Sequence, residues 1–279
     1  MAQAAFLSLF LFITAICAAT DLKPWFGNEY ETEIRATVLY QNYHSISAPH
    51  HHAHKRNEND RFTTFSAAYP FRRYCGEFEV TSANTRHQKY RWDNFRVTGR
   101  HQWASEIDGD PLSMVAGLTL TEPLSRALHD ISSFHHGHLE GEIHFSLGKK
   151  YGYPQCCKDY LYRWWNVIGF GIADVGSPWV RGDAAFEYNY DGINQFRGFI
   201  NTLWGLGRNN LRIHRFKGYG SIEHKSVDLG IRYGYTLGCF GTLSLQYAHR
   251  VYAYNFPKNA NLVLLEYYFP FGTQNPSTY

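Results

Sequence analysis

From Asn261 to Phe271 the chain alternates. Val263, Leu265, Tyr267, Phe269 and Phe271 occupy one parity, and Glu266 and Tyr268 the other. Successive strand residues point to opposite faces, so the pattern describes a strand with an apolar, aromatic-ended stripe on one side. The stretch 29–43 repeats the pattern. Tyr30, Thr32, Ile34, Ala36, Val38 and Tyr40 share a face, opposed by Glu29, Glu31, Glu33, Arg35, Thr37 and Gln41. Further strands are predicted over roughly 62–71, 75–82, 89–103, 112–121, 139–148, 162–173, 179–190, 196–207, 225–237 and 240–253, about twelve in all. In the strand from residue 89 the apolar phase slips from Tyr90 and Trp92 to Phe95 and Val97, which predicts a bulge near Asp93–Asn94. Leu124, Leu128 and Ile131 stand at helical spacing and predict a short helix over 123–134.

The start of the chain differs. Residues 2–19 hold an apolar run of about a dozen residues, shorter than the roughly 20 a spanning helix needs. It closes on Cys17-Ala18-Ala19, so residues 1–19 read as a signal peptide and Thr20 as the mature start. Ile16 before Cys17 argues against a lipoprotein. No later stretch is long and apolar enough to span as a helix. The rest, 20–279, reads as one domain that is either soluble or a membrane barrel, because only helices and closed barrels satisfy their backbone in lipid. Aromatic residues make up 17% of the chain, with 21 Tyr, 20 Phe and 7 Trp. That abundance suits a barrel with aromatic girdles at both membrane interfaces. The expected fold is therefore all-β, a transmembrane antiparallel β-barrel of about 12 strands. A net charge of +3 is too small to argue for a nucleic-acid partner.

The export signal, the repeated two-residue strand pattern and the aromatic last strand together resemble bacterial outer-membrane β-barrel proteins of the porin-like class. The resemblance covers nearly the whole mature chain and rests on no specific motif. It implies residence in the outer membrane, contact with outer-membrane lipid and the barrel-assembly machinery, passage of small hydrophilic solutes or a structural role in the envelope, and no cofactor. Members of the class usually end on the last aromatic. Here Gly272 to Tyr279 follow, so the assembly signal would be read internally or at Tyr279. With both termini in the periplasm, Cys75, Cys156, Cys157 and Cys239 fall at the periplasmic rim and are disulfide candidates. Adjacent Cys156 and Cys157 favour bridges to Cys75 and Cys239, or to neighbouring proteins, over a bond to each other. Such paired cysteines also resemble those of chlamydia-type envelope proteins.

The expected inward faces carry Glu31, Glu33, Glu77, Glu79, Asp93, Glu140, Glu142, Asp183, Glu187, Asp228 and Glu266, with Arg35, Arg91, Arg181, Arg197, Arg232 and Arg250. These are the candidate pore lining, and the excess of acids points to a preference for cations. The alternative is a salt-bridged interior that closes the barrel. His50, His51, His52 and His54 cluster in one predicted external loop and His135, His136 and His138 in another, which makes them weak metal candidates. A surface metal-binding or adhesive role through these loops is one rival reading. His224, Ser226 and Asp228 share a strand face and support another, an outer-membrane lipid acyl hydrolase. Against it, same-face neighbours sit roughly 6.5–7 Å apart, long for a nucleophile–base contact. A soluble secreted β-sandwich is the last alternative.

Overall fold

A computed structural model describes residues 21–29, 31–48, 54–152 and 159–272, with the backbone alone for 54–56. Among the described residues, twelve long strands run antiparallel in chain order. They are β1 (Glu31–Ile46), β2 (His54–Phe71), β3 (Tyr74–Asn84), β4 (Arg91–Ala104), β5 (Ser113–Pro123), β6 (Glu140–Tyr151), β7 (Tyr162–Ala173), β8 (Trp179–Asn189), β9 (Asn194–Leu206), β10 (Glu223–Thr236), β11 (Thr242–Tyr254) and β12 (Asn261–Gly272). Each pairs with the next. β1 pairs with both β2 and β12, the latter from Glu31↔Gly272 to Asn42↔Asn261, so the sheet closes on itself. A two-residue strand, Pro257–Lys258, adds to the far end of β1.

Closure is what the alternation needs. It leaves no edge with unpaired backbone groups, the condition for crossing a bilayer with strands. One parity of every strand is exposed and apolar: Phe65, Phe78, Val97, Leu118, Ile143, Phe170, Ile231, Leu245 and Leu265 lie along the middle. Tyr74, Trp103, Tyr162, Tyr188, Tyr233 and Phe271 ring the rim that carries the short turns, and Tyr40, Trp92, Trp204 and Tyr252 ring the rim that carries the long loops. An apolar band between two aromatic girdles is the outer surface of a membrane barrel.

The opposite parity is buried and polar. Glu33, Arg35, Thr37 and Gln41 of β1 are all under a tenth exposed, as are Glu77, Glu79, Glu187 and Arg250. The predicted bulge is present. Thr81 pairs with Asn94 and Ser82 with Trp92, so Asp93 is the extra residue and both Asp93 and Asn94 turn inward. The helix expected over 123–134 does not form. That segment makes only a single 3₁₀ turn at Ala127–His129, because its apolar positions pack into the barrel mouth rather than along a helix face.

Candidate pore

The lumen is built from opposed charges carried by neighbouring strands. Glu142 on β6 meets Arg181 on β8 at 2.5 Å, and Arg181 also reaches Asp183 at 3.0 Å. Glu187 on β8 accepts from Arg163 at 2.6 Å and from Arg197 at 2.7 Å. Asp228 on β10 takes both ends of the Arg250 guanidinium, at 2.7 and 2.9 Å. Arg232 binds Glu266, Arg96 binds Glu79 at 2.9 Å, and Arg35 binds Glu33 at 2.7 Å. Removing one partner of such a pair would leave a buried charge uncompensated.

Residues 21–29 enter this lumen from the turn rim. Leu22 and Trp25 pack against Trp165 and Val167 of β7. The Trp25 ring meets Trp165 edge-on at 6.0 Å, lies under Arg163, and donates its indole N–H to Glu106 at 3.3 Å. Asp21 pairs with Arg197 at 2.8 Å. Burial alone would raise the Asp21 carboxyl, but Arg197 and Lys23 hold it well below the usual range. Burial and the neighbouring Arg163 push the Lys23 ammonium down to about 8. The segment is thus pinned by one apolar cluster and one ion pair and fills the turn-side half.

The loop-side half is filled by three connections folding inward, 124–139, 207–222 and 255–260. They share a core of Ile131, Leu211, Phe216, Tyr219, Ile222, Phe256 and Ala260 with Tyr43 and Ile46 of β1. The bulged Asp93 clasps the first of them. Its carboxylate accepts from Ser133 Oγ at 2.6 Å, His135 Nε2 at 2.7 Å, Gln88 Nε2 at 2.8 Å and Asn94 Nδ2 at 2.9 Å. Burial disfavours the His135 imidazolium, but Asp93 and Glu140 outweigh it and raise the group to about 10. His135 is therefore a cation at neutral pH and closes an ion pair.

Between the two fillings lies a cavity of about 300 Å³. Its walls hold Asp21, Asp183, Asp228 and Glu266 against Arg181, Arg197, Arg232 and Arg250, with Leu39, Phe199, Leu203, Leu262 and Leu264 as an apolar side. A second cavity of about 170 Å³ lies toward β4–β6, lined by Arg96, Thr98, Thr119, His136, Glu140, Glu142 and Trp179. Leu22 of the N-terminal segment and Phe134 of the inward loop border both cavities.

Most of the pore-lining residues read from sequence meet in this lumen. Glu31 sits half-buried at the turn rim, bonded to Asn28 at 2.8 Å. Arg91 is a correction. It lies at the loop-side end of β4, before the bulge, and is exposed, while Arg96 and Arg100 after the bulge point inward. Arg163 and Lys23 were also missed. Following the shifted parity past Asp93 would have found Arg96 and Arg100; nothing in the strand pattern marks Lys23. The larger cavity carries four acids against four arginines, none of them among these additions, so the expected acid excess is absent there.

The His224–Ser226–Asp228 arrangement does not assemble. His224 Nδ1 donates to the Ile222 carbonyl at 2.9 Å, its Nε2 faces His136, and Asp228 is held by Arg250. Ser226 instead lines the larger cavity. The second histidine cluster splits: His135 joins Asp93, His136 faces His224, and His138 is exposed. Among the described residues no three His, Cys, Asp or Glu side chains converge on one metal position. His50, His51 and His52 lie outside the described residues, as do Cys156 and Cys157; His54 begins β2. Cys75 and Cys239 carry free thiols, Cys75 buried and Cys239 exposed, both at the turn rim.

No protein-family description matches the chain, and no curated protein matches by sequence. Solved structures do. An outer membrane channel from Pseudomonas putida F1 superposes with a TM-score of 0.66 at 9% identity, covering 91% of this chain and 100% of that one. The NanC porin superposes with a TM-score of 0.52 at 9% identity, covering 85% and 98%. The likeness covers most of this chain and nearly all of each neighbour, and the chain has the fold of these bacterial outer-membrane channel barrels.

Proposed function

We propose that this protein is a passive outer-membrane channel for small hydrophilic solutes, held nearly closed by its own N-terminal segment and inward loops. One observation carries the reading: a barrel with an apolar, doubly girdled outer face has a charged interior that still encloses cavities of about 300 and 170 Å³. A barrel needed only as a wall has no use for that arrangement. Paired charges of both signs offer a polar solute donors and acceptors in place of its water, at little net field. Weak ion selectivity and low conductance follow. The turn rim, with both strand ends of β1 and β12, would face the periplasm.

The test is single-channel recording in a planar bilayer, comparing the mature protein with a variant lacking 21–28. The expected result is small, infrequent steps from the first and larger, steadier steps from the second. If both fold into heat-modifiable barrels and neither conducts, the channel reading is refuted and a closed structural barrel takes its place.

A further inference from the structure

The smaller cavity is bordered by His136, whose imidazole faces that of His224 behind it. His136, on the inward loop between β5 and β6, and His224, at the start of β10, bring their Nε2 atoms to 3.3 Å. Both rings are nearly fully buried, 5% and 1% exposed. Two ligands each 2.0–2.1 Å from a tetrahedral ion stand about 3.3 Å apart. The pair therefore already has the bite of a bidentate transition-metal site.

The surroundings are arranged to hold these rings. His136 stacks flat on Trp179, with centroids 3.9 Å apart and planes 8° apart. Trp179 in turn occupies the space over Gly171, where an added Cβ would lie 1.9 Å from its Cε2. His224 occupies the space over Gly205, where an added Cβ would lie 2.0 Å from its Cε1. Two glycines on β7 and β9 thus make room for the two rings. The far nitrogen of His224 is hydrogen-bonded, and that of His136 is buried within reach of a carboxylate without a hydrogen bond. His224 Nδ1 donates to the Ile222 carbonyl at 2.9 Å, which leaves Nε2 as the lone-pair nitrogen. His136 Nδ1 faces Glu140 Oε1 at 3.7 Å. A backbone carbonyl behind one imidazole and a carboxylate behind the other is the outer shell that ligating histidines usually have.

We propose that His136 and His224 form a binding site for a single divalent transition cation, of the Zn2+ or Cu2+ type, entered from the lumen. The lone pair of His224 Nε2 and that of His136 Nε2 take two positions. The proton now shared between them moves to His136 Nδ1, toward Glu140, so no net charge is lost from the ring. Water or a passing solute fills the remaining positions on the cavity side. Imidazole nitrogens select such cations over Mg2+ or Ca2+. Arg96 and Arg181, which also line this cavity, disfavour the cation, and Glu140 and Glu142 balance them one for one. The site does not depend on whether the barrel conducts. Bound metal would tie the inward loop to the barrel wall.

The experiment uses the folded, tag-free mature barrel in detergent, with His50, His51, His52 and His54 replaced by Gln so that the other histidine cluster contributes nothing. Zn2+ is titrated by calorimetry. The expected result is saturable binding of one ion per barrel, lost in both His136→Ala and His224→Ala and retained in His144→Ala, which removes a lumen histidine outside the pair. Since either Ala change could loosen the loop, Cu2+ electron paramagnetic resonance on the unmutated pair gives a second reading: splitting from two nitrogens is expected. Absence of saturable Zn2+ binding, binding in either pair variant equal to that of the unmutated pair, or a Cu2+ spectrum without two-nitrogen coupling overturns the proposal.

Discussion

Trp25→Ala is the substitution that weighs most on the closed state. Trp25 lies outside every strand, so the barrel keeps its hydrogen-bond ladder when the side chain is cut back. What it loses is the anchor of residues 21–29: a ring 6% exposed, set edge-on to Trp165, beneath Arg163 and bonded to Glu106. Truncating a buried Trp to Ala costs about 3–5 kcal/mol, and about 1.4 kcal/mol is a tenfold change in equilibrium. The ratio of docked to released segment should therefore fall by roughly 100- to 4,000-fold. Leu22, Asp21–Arg197 and the chain's own tether remain, so release need not be complete. The assay is single-channel recording in a planar bilayer, reading open probability and step size, with heat-modifiability as the check that the barrel is folded. Open probability should rise steeply, and the steps of the open state should match those of the variant lacking 21–28. A folded Trp25→Ala barrel whose open probability and step size equal those of the unmodified protein would show that the segment does not gate the lumen.

Three other outcomes are expected. The pair between His135 and Asp93 fastens the inward loop, and His135 is raised from its ordinary value of 6.5 to about 10. The proton is bound more tightly in the docked loop, so the stabilisation is complete below about 6.5 and is lost as pH rises through about 10. Conductance measured across pH 6 to 10.5 should be flat at first and then rise, and Asp93→Asn should remove the rise by opening the clasp at every pH. Asp228→Asn leaves Arg250 uncompensated beside the larger cavity and should move the reversal potential in a salt gradient toward anions. Arg250→Gln should move it toward cations, and no shift in either would place the ion path elsewhere. Leu118 sits mid-strand on the exposed band, so Leu118→Arg should cost about 2–4 kcal/mol when unfolding is followed in lipid vesicles, and a change near zero would contradict a lipid-facing surface.

Much of the wall was legible in the sequence. Val263, Leu265, Tyr267, Phe269 and Phe271 alternate with Leu264, Glu266 and Tyr268, and a strand can place such a stripe in only one way relative to lipid. Even the bulge at Asp93 showed as a slip of parity, because an inserted residue must shift every apolar position after it. Arg91 keeps the inward parity, opposite buried Ala83, but stands at the loop end of β4 and is exposed there, which parity alone does not show. The site was less legible. Val167 and Trp165 are apolar on the inward face, which strand pattern alone cannot explain; they are buried against Leu22 and Trp25, residues about 140 positions away.

Sequence by itself determined the period-two alternation, the number of strands, the apolar outer face and the charged inner one, since these follow from neighbours along the chain and from the solvent each face meets. Only the tertiary structure decided what fills the lumen, which charges cancel, and that His136 meets His224 across 88 positions. Those contacts depend on closure of the barrel, which sets distances between strands that no local pattern encodes. The segments that fold inward, 21–29 and 124–139, carry no strand period, and the helical spacing of Leu124, Leu128 and Ile131 is overridden. Their conformation is fixed by the cavity they enter, not by the residues on either side of them.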